Sequence, residues 1–144
     1  MTDNKIVSRE IHLRQRPTGF PSEDNFELVQ VSIHQLREGE FLVRNIWMSV
    51  DPYLRQYMSR GTKLMPAFKL NEPLNGGCIG QIIESKNDKF KVGEYVLGNS
   101  GWREYWISDG STDENIIKID PKIAPIRWFL GVLGISGLQL MLVS

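Results

Sequence analysis

Apolar and polar positions alternate in short runs between residues 5 and 119, which is the pattern of half-buried β-strands. The alternation is clearest in residues 26–33, where Val29, Val31 and Ile33 fall on one face. The pattern predicts strands over residues 5–13, 26–33, 41–50, 78–85, 95–97, 102–108 and 116–119. Short strands at this spacing are typical of a small, partly open β-barrel. Residues 87–91 are polar and predict an exposed loop.

The longest predicted strand runs directly into a helix-start signal. The carboxylate of Asp51 can accept hydrogen bonds from free backbone N–H groups, and Pro52 suits the first helical position because it has no N–H to satisfy. Large side chains follow at helical spacing: Tyr53, Leu54, Tyr57 and Met58. The residues alone therefore predict a short capped helix near Pro52 that packs aromatic side chains into a core.

The pattern changes at Pro125, after which residues 126–133 and 135–143 are apolar and compatible with a helix. We therefore expect a mainly β domain over residues 1–124 and a carboxy-terminal apolar helix within residues 125–144. The run Gly131-Val132-Leu133-Gly134 does not predict a phosphate loop, because no strand precedes it and helix packing accounts for its glycines.

Composition excludes several classes of partner. Seventeen basic residues balance seventeen acidic ones and 41% of residues are hydrophobic, so nothing indicates a nucleic-acid partner. No apolar run is long enough to span a membrane, and the first residues lack the apolar core of a signal peptide. A single cysteine allows no internal disulfide, so a cytoplasmic location is expected.

The same composition argues against a metal site. Zinc needs several Cys, His or carboxylate ligands in tetrahedral array. The chain offers Cys78, His12 and His34 without ligand spacing among them. Both histidines lie in strand-like stretches, where we expect them to be exposed or hydrogen-bonded rather than metal-bound.

Several motifs that together span nearly the whole chain carry a family resemblance. They are Arg16-Pro17-Thr18-Gly19-Phe20-Pro21, Met48-Ser49-Val50-Asp51-Pro52-Tyr53-Leu54-Arg55, Gly76-Gly77-Cys78-Ile79-Gly80-Gln81-Ile82, and further motifs at residues 91–98, 101–105 and 131–138. In this order they resemble the amino-terminal domain of the zinc-independent medium-chain dehydrogenase/reductases. The match is to the NADP-dependent alkenal/one oxidoreductase branch, which includes prostaglandin and curcumin reductases. The resemblance implies a GroES-like fold.

The resemblance also implies a chemistry, in which a hydride passes from NADPH to the β-carbon of an α,β-unsaturated ketone or aldehyde. It places Val50, Asp51, Pro52 and Tyr53 beside the nicotinamide and the substrate. Tyr53 is the candidate catalytic residue, because its phenol can donate to or orient the substrate oxygen. Asp51 fits a helix cap better than a proton carrier.

Other aromatic residues are weaker candidates for this cleft. Trp102, Tyr105 and Trp106 lie on a predicted short strand, where aromatic side chains usually belong to the core. Residues 65–68 form a loop that could line a substrate entrance, but a loop anchored by Phe68 is the preferred interpretation.

In the family, the terminal helix leads into a Rossmann domain, which would hold NADP with a strand, a glycine-rich turn and a helix. This sequence contains no such unit, so we expect no NADP to bind to this chain and no activity from it alone. After Leu138 the family continues approximately Thr-Ala-Tyr-Val-Gly-Leu-Leu-Asp, whereas this chain reads Gln139-Leu140-Met141-Leu142-Val143-Ser144. Deleting one base from codons for the family pattern yields this tail and a stop, which predicts a frameshift product of a longer reductase.

Two alternatives remain open at this point. The chain is either the substrate-side domain of a reductase, with a cleft that keeps Asp51 and Tyr53 together, or a non-enzymatic binding module that reuses the barrel and fills the cleft. Residues 135–143 are then expected either to fold back on the barrel or to form a homodimer through the terminal apolar helix.

Overall fold

The computed structural model describes residues 6–50, 54–59, 67–111, 116–120 and 139–142. These residues are mainly β, as predicted. The elements are β1 (Val7–Leu13), a 3₁₀ turn (Glu23–Asn25), β2 (Phe26–Ser32), β3 (Phe41–Val50), α1 (Leu54–Ser59), β4 (Cys78–Ser85), β5 (Tyr95–Gly98), β6 (Tyr105–Ser108), β7 (Ile117–Ile119) and β8 (Gln139–Leu142).

The strands form two sheets. β1 and β2 pair as an antiparallel two-stranded sheet, and the larger sheet has the order β6-β3-β4-β5-β7, with β8 also paired to β3. β3 and β4 have the bounds predicted from the sequence. Closure of these strands into a barrel stays a prediction, because the described pairings define two separate sheets.

β1 docks on the larger sheet through backbone hydrogen bonds. Glu104 donates its N–H to the Arg9 carbonyl at 3.0 Å, and Ile11 donates its N–H to the Trp102 carbonyl at 2.8 Å. The Arg9 guanidinium also donates two hydrogen bonds to the Glu104 carboxylate. These bonds hold the pKa of Glu104 below its usual range. The two sheets therefore meet along residues 102–104.

The core has two main parts. The first is formed by side chains from β3, β4, β5 and β6 of the larger sheet: Phe41, Val43, Cys78, Ile82, Val96 and Trp106. The second lies between the two sheets and the helix, where Leu13 from β1, Met58 from α1 and Leu74 are buried together. Burial of such apolar side chains is the main favourable contribution to folding. It also fixes α1 against β1.

The predicted carboxy-terminal helix is wrong at Gln139–Leu142, which form strand β8 instead. A short apolar run is compatible with either a helix or a strand. Here the edge of β3 offers backbone partners, and residues 139–142 pair with residues 47–50. Residues 121–138, including the expected boundary at residue 125, lie outside the described residues. In the described part of the chain no helix combines the length and apolar character that crossing a bilayer requires.

Candidate functional site

The candidate site is the junction between β3 and α1. β3 ends at Val50 and the described part of α1 begins at Leu54. Asp51, Pro52 and Tyr53, and the side chain of Val50, lie outside the described residues. The structure therefore describes the two supports that flank the predicted cleft residues.

The end of β3 is held by two glycine turns. The fully buried Ser49 donates its N–H to the Gly77 carbonyl at 2.8 Å, and Gly101 donates its N–H to the Gly76 carbonyl at 3.0 Å. A Cβ atom at Gly101 would lie 3.0 Å from the Gly76 carbonyl oxygen, so the two backbones approach too closely for a larger residue to fit without a shift. All three glycines belong to motifs identified in the sequence.

A bulge in β3 reorients the strand before it reaches the site. The register with β4 shifts between Asn45 and Trp47, opposite Gly80 and Ile79. A Cβ atom at Gly80 would lie 2.3 Å from the Val43 side chain and 2.7 Å from the Arg44 carbonyl oxygen, so glycine is required there. Such bulges are common beside functional sites, where they redirect the strand.

Asn45 secures this bulge with its side chain. Its Nδ2 donates to the carbonyl oxygens of Ser100 and Arg103, each at 2.9 Å, and its Oδ1 accepts from the indole N–H of Trp106 at 2.7 Å. Asn45 is almost fully buried, so the loss of these partners would leave polar groups unsatisfied. It joins β3 to β6 and to the loop that carries Gly101.

The second support is α1, which is anchored at its last turn. The guanidinium of Arg16 donates to the Met58 carbonyl at 2.9 Å, and the Ser59 hydroxyl donates to the Pro17 carbonyl at 3.4 Å. On the other side, Phe68 donates its N–H to the Tyr57 carbonyl at 2.7 Å, and the two rings meet edge to face. The structure thus brings the first motif, at residues 16–21, against the last turn of the helix that follows the cleft motif.

Trp102 lies where the supports meet. Its backbone has φ of 62°, a left-handed conformation that is uncommon for a bulky residue. Its ring stacks on Phe26, and it packs against the part of the core formed by Leu13, Met58 and Leu74. Its indole N–H is buried without a hydrogen-bond partner in the structure as described. Such strained residues often accompany functional sites.

Two ionisable groups beside the glycine turns act structurally. Arg103 donates to the Leu74 carbonyl at 3.1 Å and to the Asn75 side chain at 2.9 Å, and burial lowers its pKa. Burial also raises the pKa of Cys78 to about 12. At neutral pH this thiol is therefore protonated and is not a nucleophile.

The described residues include no group of three His, Cys, Asp or Glu side chains placed to hold a metal ion. His12 lies 3.0 Å from the Glu10 carboxylate and His34 lies 3.4 Å from that of Glu40. Each histidine thus has a carboxylate neighbour; the side chain of His34 is exposed, whereas that of His12 is largely buried.

The weaker aromatic candidates are part of the packing. Trp106 is buried in the larger sheet's core, and Tyr105 lies half-buried on β6 opposite Arg44. Phe68 anchors its loop to α1, as predicted. The sequence pattern did not predict three of the residues that hold these supports, Arg16, Asn45 and Ser59, because their partners are distant in the chain. The one available signal was Asn45, a polar residue within a strand that was predicted to be buried.

Known proteins match most of this chain. The family model described as the N-terminal domain of oxidoreductase matches residues 9–116. The NADPH-dependent curcumin reductase of Escherichia coli is 34% identical over 137 residues, which is 95% of this chain and 39% of that protein. Prostaglandin reductase 1 of Bos taurus is 32% identical over 126 residues, which is 88% of this chain and 36% of that protein.

Solved structures agree with these matches. The crystal structure of CurA from Vibrio vulnificus in complex with NADPH superposes with a TM-score of 0.79 at 35% identity, covering 90% of this chain and 37% of that one. The chain therefore spans about two fifths of the length of the relatives that it matches.

Proposed function

Because this chain belongs to the oxidoreductase N-terminal domain family, in the zinc-independent, NADP-dependent alkenal reductase branch of the medium-chain dehydrogenase/reductases, we propose that it forms the substrate side of a double-bond reductase. Its substrates are α,β-unsaturated ketones or aldehydes. The observation that carries this proposal is the anchoring of the two elements, β3 and α1, that precede and follow residues 51–53. β3 is fixed by the glycine turns on one side and α1 by Arg16 and Phe68 on the other.

The proposed task of the segment is to orient the substrate. NADPH supplies the hydride when it is bound by a complete enzyme. As the hydride reaches the β-carbon, negative charge develops on the carbonyl oxygen and needs a hydrogen-bond donor. We assign this role to the phenol of Tyr53, with Val50 and Pro52 as apolar wall and Asp51 as the cap of α1. A donor held on an anchored segment costs little reorganisation during the reaction.

The described residues fit the nicotinamide side of such a site better than the pyrophosphate side. A pyrophosphate is bound by a glycine-rich turn at the amino terminus of a helix. Within the described ranges α1 is the one α-helix, and Asp51, Pro52 and Tyr53 precede it instead of glycines. We therefore propose that the pyrophosphate is held by a Rossmann domain and that this chain does not bind NADPH on its own.

A chimera tests the proposal directly. Residues 9–116 would replace the matching segment of the E. coli curcumin reductase, and NADPH oxidation would be followed with a simple enone. We expect activity, and we expect Tyr53→Phe to lower kcat by about tenfold to a thousandfold, as removal of a transition-state donor does. Tyr95→Phe, on β5 away from the site, is the matched control and should leave kcat unchanged.

The informative failure is a chimera that folds and binds NADPH but reduces no enone. That result would favour the alternative of a binding module that reuses the fold.

The frameshift and the cytoplasmic location stay predictions. Sequencing the DNA beyond the codon for Ser144 tests the frameshift. Titration of this chain with NADPH, followed by cofactor fluorescence, tests the expected lack of binding.

A further inference from the structure

Asn75 directly precedes the glycine turn at Gly76 and Gly77. Of the asparagines in the sequence, Asn75 alone is followed by glycine. Asn75 is exposed, whereas Gly76 is buried. The side-chain carbonyl carbon of an asparagine can be attacked by the backbone nitrogen of the next residue, and a glycine shields that nitrogen least because it has no Cβ. The sequence therefore places a reactive pair beside the turn that holds the end of β3.

Arg103 orients the amide of Asn75. Its Nη2 donates to the Asn75 Oδ1 at 2.9 Å. Because a guanidinium only donates hydrogen bonds, the amide oxygen must face it and the amide nitrogen points away from it. Arg103 is itself fixed, since it donates to the carbonyl oxygens of Leu74 at 3.1 Å and Gly101 at 3.2 Å. A positive donor is thus held on the oxygen that gains negative charge when the amide carbon is attacked.

The attacking nitrogen, that of Gly76, is held more weakly than its surroundings. Gly76 donates its N–H to the Asn99 carbonyl at 3.3 Å, which is longer than the usual N–H···O bond. The neighbouring bonds are shorter, at 2.8 Å from Ser49 to Gly77 and 3.0 Å from Gly101 to Gly76. The two glycine turns therefore keep their shape, while the Gly76 N–H is the least protected of these three backbone donors.

We propose that Asn75 is a modification site, which deamidates spontaneously with the assistance of Arg103. Hydroxide removes the proton of the Gly76 N–H, and the nitrogen forms a bond to Cγ of Asn75 while Arg103 stabilises the charge on Oδ1. The bond from Cγ to Nδ2 breaks, and Nδ2 takes protons from water and leaves as ammonia. Water opens the resulting succinimide ring at either carbonyl, which gives aspartate or isoaspartate. The net reaction consumes one water, releases one ammonia and involves no oxidation.

The two products affect the glycine turns differently. Aspartate leaves the main chain unchanged and places a carboxylate beside Arg103, which is a favourable pair. Isoaspartate carries the main chain through the former side chain, so an extra carbon enters the backbone directly before Gly76. Gly76 accepts from Gly101 and Gly77 accepts from Ser49, so this displacement reaches the end of β3. Isoaspartate is therefore the product that loosens a support of the candidate site.

The test incubates the full chain at mildly alkaline pH, either folded in buffer or unfolded in urea. Mass spectrometry of the tryptic peptide over residues 70–86 distinguishes the acid from the amide at each position. The same peptide contains Asn71, an exposed asparagine followed by Glu72, as an internal control. We expect Asn75 to react at least as fast in the folded chain as in urea, and several-fold faster than Asn71. A slower reaction of Asn75 in the folded chain, or equal rates at the two asparagines, would overturn the proposal.

Arg103→Met removes the polarising donor. We expect the Asn75 rate of this variant to fall by about tenfold or more in buffer, as loss of a donor to a developing oxyanion does, and to equal that of the parent in urea. An unchanged rate in buffer would contradict the role of Arg103. The comparison of the parent chain in buffer and in urea needs no variant, so it decides the proposal even where Arg103→Met does not fold. Asn75→Asp, which carries only the aspartate product, should keep the slow hydrogen exchange of the Ser49 and Gly101 amides that isoaspartate accelerates.

Discussion

The guanidinium of Arg16 donates a hydrogen bond to the carbonyl oxygen of Met58 across 42 residues of sequence. The last carbonyl groups of a helix have no partner within the helix, and a positive charge is favourable at that end. The contact therefore caps α1 with a residue from the first motif. It makes the position of the cleft segment depend on a loop that precedes it in the chain by more than thirty residues.

Replacing Arg16 with Ala should loosen α1 locally. We expect hydrogen exchange of the α1 amides to accelerate several-fold, with a loss of about 0.5–1 kcal/mol in global stability. Arg14→Ala is the control, since Arg14 is also exposed and close in sequence. Equal exchange rates in the two variants would show that the Arg16 contact does not hold the helix.

Replacing Trp106 with Phe should destabilise the fold by about 1–3 kcal/mol, because the buried Oδ1 of Asn45 loses its donor. Chemical denaturation would measure the change. Trp102→Phe makes the same chemical change where the indole N–H has no partner in the described structure. Removal of an unsatisfied buried donor offsets the lost apolar area, so this variant should stay within about 1 kcal/mol of the parent. A larger loss in Trp102→Phe than in Trp106→Phe would contradict this account.

Local sequence patterns predicted the local parts of this structure. The alternation of apolar residues located the strands, and β3 and β4 were predicted at their observed bounds. The strand predicted from residue 102 begins only at Tyr105. Trp102 adopts a left-handed backbone conformation, which is incompatible with an extended strand at that position. Periodicity carries no information about such a residue.

The tail shows the limit of pattern reasoning. Residues 139–142 are apolar enough for either a helix or a strand, and their state is decided by a pairing with β3 that lies about ninety residues earlier. The supports of the candidate site are hidden for the same reason. Arg16 with Met58, and Asn45 with Trp106, are contacts between distant positions that no local pattern links.

Phe68, which packs against α1, and the exposed Phe20 should respond differently to truncation. Phe68 packs against Tyr57 and the core around Met58, so Phe68→Ala should cost about 1–3 kcal/mol. Phe20 is 99% exposed, so Phe20→Ala should change stability by less than about 0.5 kcal/mol. Thermal unfolding of the two variants measures the difference. Equal melting temperatures would mean that the loop at residues 67–68 does not anchor α1.

The buried thiol of Cys78 should make the fold sensitive to alkaline pH. Burial raises its pKa from 9.0 to about 12, so the unfolded chain loses this proton at a lower pH than the folded chain does. The stabilisation is complete below pH 9, where both states are protonated, and is lost as the pH rises toward 12. We expect the free energy of unfolding, measured by urea denaturation, to fall with pH above 9. Cys78→Ala removes this titration, so the difference in stability between parent and variant should shrink over that range. A difference that stays constant from pH 8 to pH 11 would show that the thiol is not protected by burial.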